Sequence, residues 1–280
     1  MDNILIVADF LKKTIDEFKE IGIESAVIDA ELLIAHALGT ERFKLIADIR
    51  RELSREEIKK INRLLKRRMK FEPVSYIIGK REFYSLEFNI NRDVLIPRPE
   101  TELLVDLAIY YAKQDSILLD LGTGSGAIAV SVKHMRNDLD VHASDISEEA
   151  LKVAEKNAGR ILGTGKINFY SGDLFNPFKG MKFDVIVSNP PYINPDDMKA
   201  LQKDIGFEPE RALLSDDRGR GIIKRIIDEA GTYLNDRGIL IIEIASIMKE
   251  YIPEVAVENG FSVSILNDYS GLARVAVLKV

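Results

Sequence analysis

The stretch Phe183-Asp184-Val185-Ile186-Val187-Ser188-Asn189-Pro190-Pro191-Tyr192 decides how the rest of the chain is read. Its first half is a short apolar run rich in β-branched side chains, entered after Gly180, and it predicts a buried strand. The strand cannot continue, because two consecutive prolines have no backbone N–H to give to a ladder. At Asn189 the chain therefore leaves the sheet through a stiff corner. That corner carries one amide side chain, backbone carbonyls in set directions and one aromatic ring. Asn189 and Pro190 together could accept both hydrogens of a primary amine or amide and leave its nitrogen lone pair aimed at an electrophile. A plain proline turn, with Tyr192 as packing, is the simpler reading of the same residues.

On either side of this strand the chain alternates. Strands are expected at 117–121, 141–144, 167–171, 183–188 and 239–244, with helices at 127–135, 148–160, 222–234 and 247–258. Repeated βα units predict an α/β fold, a mostly parallel sheet covered on both faces. Two closing strands, 261–266 and 274–279, have no helix between them and predict an antiparallel hairpin at one edge.

The first part of the chain is helical. Ile4, Val7, Phe10, Leu11, Ile15 and Phe18 are spaced for a helix over 4–21, a second helix over 25–38 is stopped by Gly39, and a short one covers 42–49. Ser54 opens a long helix with Glu57 three residues on, a capping box. Its inner face is Ile58, Ile61, Leu64, Leu65 and Met69, which leaves the basic residues outside. From Pro73 to Ile96, residues 76–79 and 82–90 read as extended and predict a hairpin. Pro99 then suits the first position of a helix that runs to about Ala112. The expected division is a helical domain over 1–72, a β-hairpin linker over 73–96 and a nucleotide-binding domain over 97–280.

Composition removes several chemistries. Apolar residues make up 46% of the 280-residue chain and charged residues 30%, which suits a soluble globular protein. The absence of cysteine excludes disulfides, thiolate catalysis and cysteine zinc sites. His36, His134 and His142 lie too far apart to show ligand spacing, so no metal site is expected. No apolar run is long enough to cross a membrane, and Met1-Asp2-Asn3 lacks the basic start of a secretory leader, so a cytoplasmic location is expected. The net charge of −6 argues against broad DNA binding, which needs phosphate-neutralising cations. One segment, Arg51 to Lys70, holds nine basic and three acidic residues and reads as the solvated face of a helix.

A second cluster of signals lies after the strand at 117–121. Asp120-Leu121-Gly122-Thr123-Gly124-Ser125-Gly126-Ala127 opens a helix, and its glycines let the backbone turn tightly and approach a ligand. Asp145 ends the next strand, 19 residues after Gly126, where a carboxylate can accept both ribose hydroxyls. Asp173 ends the third strand, where it could accept from an adenine amino group, and Asn189 ends the fourth. Ligands bind at such carboxyl ends in open α/β sheets. Each aspartate taken singly also fits a helix cap or a turn.

With these residues in place, the sequence resembles the class I S-adenosylmethionine-dependent methyltransferases. More narrowly it resembles the HemK/PrmC family, which methylates the glutamine side-chain amide of the GGQ motif in peptide chain release factors. The similarity runs through Pro73–Gly79, Arg81–Tyr84, Ile96–Glu102, Ser188–Tyr192, Phe207–Pro209, Ala212-Leu213, Asp268-Tyr269 and Arg274-Val275. It implies a Rossmann-like, mostly parallel seven-stranded sheet with a small N-terminal helical domain and a hairpin linker. The implied cofactor is S-adenosylmethionine, with S-adenosylhomocysteine as product, held by Gly122, Thr123, Gly124, Ser125, Gly126, Asp145, Asp173, Leu174 and Asn189. Asn189, Pro190, Pro191 and Tyr192 would bind the substrate amide, with Asn189, Pro190 and Tyr192 catalytic. The implied partner is the GGQ-containing domain of a release factor, met by a monomer with no membrane and no direct nucleic-acid contact. Ala245 departs from the family, which usually has glycine after Glu243-Ile244.

Four other readings stay open on the sequence. A DNA adenine or cytosine amino-methyltransferase uses a similar corner but needs a basic channel, whereas the region after residue 100 is acidic. Glutamine methylation of another translation protein would look the same. A non-catalytic nucleotide-binding module has no use for an amide clamp. A nicotinamide-dependent dehydrogenase lacks an evident catalytic histidine or tyrosine–lysine pair.

Overall fold

The computed structural model describes residues 5–200 and 203–280. The helical position Ile4 and the leader reading of Met1-Asp2-Asn3 lie outside these residues. Two units are distinguished: one takes the chain up to Gly79 with a short segment ending at Phe207, and the other takes the remainder from Lys80. No helix among the described residues is long and apolar enough to cross a membrane.

The first unit packs α1 (Val7–Glu20), α2 (Ala26–Ala37), α3 (Arg42–Ala47), α4 (Arg55–Arg68) and α5 (Val74–Ile78). Val7, Phe18, Leu33, Ile34, Ile61 and Leu65 form its core. Local chemistry sets the helix ends. Gly39, at φ +66°, turns the chain after α2, and the N–H groups of Gly39 and Thr40 return to the carbonyls of His36 and Ala35 at 3.1 and 3.0 Å. At the start of α4, Glu57 N–H donates to Ser54 Oγ at 3.3 Å and Ser54 N–H to Glu57 Oε2 at 2.9 Å, the expected capping box.

Two expectations for this unit are corrected. Residues 76–79 are not extended, because Tyr76 and Ile77 both donate to the Pro73 carbonyl at 3.0 Å, making α5, which Gly79 stops at φ +78°. Five residues are too few for a helical period to stand out from an apolar run. Nor do all the basic residues of α4 face solvent. Arg68 is buried, its Nε 2.7 Å from Asp29 Oδ2, and Arg67 makes a two-point pair with Glu72 at 2.7 and 2.8 Å.

The second unit opens with a hairpin, β1 (Lys80–Phe83) and β2 (Leu86–Asn89). Its two-residue turn puts Tyr84 and Ser85 at φ +51° and +58°, a primed turn in which asparagine and glycine are usual. Side chains compensate: Tyr84 N–H donates to Glu102 at 2.8 Å and its hydroxyl to Asp106 at 2.7 Å. A Pro99–Thr101 turn leads into α6 (Glu102–Tyr111), followed by β3 (Ile117–Leu121), α7 (Ala127–Met135), β4 (Asp140–Asp145), α8 (Glu148–Leu162), β5 (Asn168–Ser171) and β6 (Phe183–Ser188). Next come a single turn α9 (Asp216–Gly219), α10 (Gly221–Tyr233), β7 (Leu234–Glu243), α11 (Tyr251–Glu258), β8 (Ser262–Asn267) and β9 (Ala273–Lys279).

The sheet has seven strands in the order β5-β4-β3-β6-β7-β9-β8, parallel through β7, with β9 antiparallel to both its neighbours. The edge hairpin is as expected, and its last strand lies inside its first. The helix expected over 247–258 begins at Tyr251 instead. Pro253 is the reason: its ring would meet the carbonyl four residues back and cannot sit deeper than a first turn. Register brings Leu121 level with Ser144 and Ser188, and Ser188 level with Ile242, so four strands end along one rim.

Candidate active site

A cavity of about 470 Å³ opens at that rim, within the usual range for small-molecule sites. Gly122, Gly124, Asp145, Asp173, Leu174, Asn189, Pro190 and Pro191 all line it. Thr123, Ser125, Gly126 and Tyr192 are not among its lining residues. Thr123 Oγ1 donates to Asp120 at 2.6 Å, and the Ser125 carbonyl accepts from Asn157 at 2.9 Å. Gly126, at φ +81°, lets α7 lie against α8, where a Cβ would come within 3.1 Å of Ala154 Cβ. Gly122 and Gly124 also have positive φ, but a Cβ on either would meet nothing within 4 Å. Their backbone faces open space, as a loop that approaches a ligand must.

The two acidic strand ends differ. Asp145 accepts from Gly124 N–H through Oδ2 and from Ser147 N–H through Oδ1, both at 2.9 Å. A carboxylate has about four acceptor positions, so two remain for a ligand. Burial raises its pKa, and the two N–H groups oppose that rise. Asp173 is held from the side, with Arg225 donating to its Oδ2 at 2.7 Å. Nothing in the local sequence pointed to that pairing.

Beneath the glycine loop, Asp120 is fully buried, with Oδ2 accepting from Thr123 Oγ1 and Ala129 N–H and Oδ1 without a partner among the described residues. Burial pushes its pKa up to about 7. Between about pH 4 and this value the folded protein keeps a proton that the unfolded chain has released, so stability falls as pH rises through that window. Asp120→Asn is expected to remove this dependence. Urea midpoints at pH 5 and pH 8 should then differ less for the variant than for wild type, and equal differences would contradict the assignment.

The Asn189 corner is fixed from outside the cavity. Asn189 Nδ2 donates to Thr101 Oγ1 at 3.1 Å, and Thr101 Oγ1 donates to Glu243 Oε2 at 2.7 Å. Tyr192 hydroxyl donates to the other oxygen, Glu243 Oε1, at 3.3 Å. Burial raises the pKa of both Glu243 and Tyr192. The Tyr192 ring packs against the main core. Among the described residues, no donor reaches Asn189 Oδ1 or the Pro190 carbonyl. Beyond the corner, Ile193 bridges to Leu213 and Ser215, and Gly219 packs so closely that a Cβ would lie 2.2 Å from the Tyr192 carbonyl oxygen. Glu208 clasps the Ile96–Arg98 crossing, accepting from Ile96 N–H at 3.0 Å and from Arg98 at 2.5 Å.

Thr101, Glu243, Arg225 and Gly219 were not singled out as site residues from the sequence. Thr101 lies in the Ile96–Glu102 stretch that carries part of the family resemblance, and Glu243 lies one residue before the end of the strand expected over 239–244. The rule that ligands gather at strand ends was a usable signal for the second.

Strand order and rim chemistry place the protein among the class I S-adenosylmethionine-dependent methyltransferases. A solved methyltransferase from Pyrococcus furiosus shares the fold, with a TM-score of 0.54 at 19% identity over 70% of this chain and 89% of its own. The PrmC N-terminal domain family matches residues 9–79, and the methyltransferase small domain family matches residues 100–214. A release factor glutamine methyltransferase of Aliivibrio fischeri is 35% identical over 276 residues, covering 98% of this chain and 97% of its own. The chain belongs to the release factor glutamine methyltransferase family. A bifunctional methyltransferase of Rickettsia felis is also similar, 33% identical over 96% of this chain, which spans 57% of that longer protein.

Proposed function

We propose that this chain transfers a methyl group from S-adenosylmethionine to the side-chain amide nitrogen of the GGQ glutamine in a peptide chain release factor. One observation carries the reading: among the described residues, Asn189 Oδ1 and the Pro190 carbonyl are unclaimed acceptors of two residues that line the cavity beside the glycine loop. A carboxamide nitrogen is poorly nucleophilic, because its lone pair is delocalised into its own carbonyl. Accepting both of its hydrogens draws it toward tetrahedral geometry and fixes the direction of the lone pair, a contribution from positioning and preorganised dipoles. An alkylated amide nitrogen is cationic and sheds its proton to water, so no strong base is required.

The residues fit the cofactor. Asp145 retains acceptor positions for two ribose hydroxyls, Asp173 Oδ1 remains for an adenine amino group, and Gly122 and Gly124 leave backbone space beside them. The bound cofactor supplies an electrophilic sulfonium methyl, and the protein supplies orientation. Asp145→Ala is expected to weaken S-adenosylmethionine binding about 10–100-fold, the value of hydrogen bonds to a charged group. Calorimetry giving an unchanged affinity would move the ribose elsewhere.

In the same reading, the helices of residues 1–72 recognise the protein substrate, 73–96 link, and 97–280 bind cofactor. In this reading the protein acts as a monomer in the cytoplasm. The deciding experiment is mass spectrometry of a release factor incubated with this protein and S-adenosylmethionine. A single added methyl on the GGQ glutamine supports the reading. Methylation of DNA, or of another translation protein instead, would replace it.

A further inference from the structure

The outward partners of the Asn189 corner do more than hold it still. A threonine hydroxyl has one proton and two lone pairs, while a carboxyl oxygen that carries no proton can only accept; at Glu243 the Thr101 and Tyr192 hydroxyls and the Arg274 charge favour that form against the effect of burial. Thr101 is buried and its proton goes to Glu243 Oε2 at 2.7 Å. Toward Asn189 it can then offer only a lone pair, and the one end of an asparagine amide that can meet a lone pair is its NH₂. With Nδ2 at 3.1 Å from Thr101, Oδ1 must turn to the opposite side. Glu243 is itself 1% exposed at the end of β7, so its carboxylate has little freedom to choose other partners. Its second oxygen takes the Tyr192 hydroxyl, three residues beyond Asn189. One buried carboxylate thereby grips both ends of the Asn189–Tyr192 corner.

We infer that Glu243 and Thr101 are positioning residues: a hydrogen-bond relay from Asn189 through Thr101 to Glu243 dictates which face of the Asn189 amide is shown to the substrate. The inference rests on the proposed reading of the site, in which Asn189 must accept a hydrogen and not donate one. Without the relay the amide can rotate by half a turn and present NH₂ to the glutamine, repelling the hydrogens it is meant to hold.

The test compares Thr101→Val, which keeps shape but has no hydroxyl, with Thr101→Ser, which keeps the hydroxyl. Thr101→Val is expected to lower kcat for methyl transfer about 10–10²-fold, as misplaced reacting groups do, with S-adenosylmethionine Kd and release factor KM little changed. Thr101→Ser should restore most of the rate. Added to Asn189→Ala, Thr101→Val should cost nothing further, because the group it orients is gone. A Thr101→Val enzyme with wild-type kcat, or a full independent loss in the double variant, would overturn the relay. Should Thr101→Val fail to fold, Glu243→Gln carries the same test, since its amide no longer compels both hydroxyls to donate. A readout free of substrate is the side-chain NH₂ signal of Asn189 in a ¹⁵N–¹H spectrum, identified by its loss in Asn189→Ala. Thr101→Val should shift it and speed its exchange with water, and an unmoved signal rejects the relay. Failure of wild type to methylate a release factor would instead reject the function and leave this spectral result to judge the relay.

Discussion

Asn189→Ala is expected to slow methyl transfer about 10²–10³-fold, the size found when one preorganised polar contact at a reacting group is removed. The side chain lies on the cavity rim but its one hydrogen bond among the described residues runs away from the cavity, to Thr101. Its loss therefore removes an acceptor from the substrate side while leaving the carboxylates of Asp145 and Asp173 in place. Cofactor affinity should fall far less than kcat. Single-turnover transfer to a release factor with saturating S-adenosylmethionine makes the comparison, and equal rates for variant and wild type would remove Asn189 from the mechanism.

The largest expected effect on stability lies in the helical unit. Asp29→Ala should cost about 3–5 kcal/mol, because it leaves the buried Arg68 guanidinium without its carboxylate. Only 5% of the Arg68 side chain and 8% of the Asp29 side chain are exposed, so water cannot take the partner's place. The other Arg68 contacts among the described residues are weaker, a 3.3 Å bond to the Glu72 carbonyl and a 3.6 Å approach to Asp204. Replacing both residues by apolar ones of similar volume, Asp29→Leu with Arg68→Met, should recover much of the loss. Urea unfolding of wild type and these variants tests the ordering. An alanine variant as stable as wild type would show that the pair is not desolvated.

The sheet could be read from the sequence because parallel strands buried on both faces make unbroken apolar runs, as in Val185-Ile186-Val187. Asn189 was legible for a related reason: two prolines end a buried strand abruptly, which sets the residue just before them at the ligand rim. The helix α5 was not, since five residues do not complete enough turns to distinguish a helix from an extended pair. Burial of Arg68 was hidden too, because a basic run looks the same whether or not one member finds a carboxylate 39 positions away. Thr101 and Glu243 are separated by 142 positions. Only the sheet order brings them together, and no local pattern encodes it. Arg225 on Asp173 is hidden in the same way.

The place of β9 bears on synthesis. It comes last among the strands of this sheet in chain order, yet it lies between β7 and β8. Until residues 273–279 have left the ribosome, the outer ladder of β7, the strand that ends in Glu243, has no partner. Nascent chains that stall earlier would expose two bare ladders of the kind that recruits other chains. The outer side of the β7 end that carries Glu243 is therefore paired only once this later strand is in place, Ile244 N–H donating to the Arg274 carbonyl at 2.8 Å, by a segment that does not itself line the cavity.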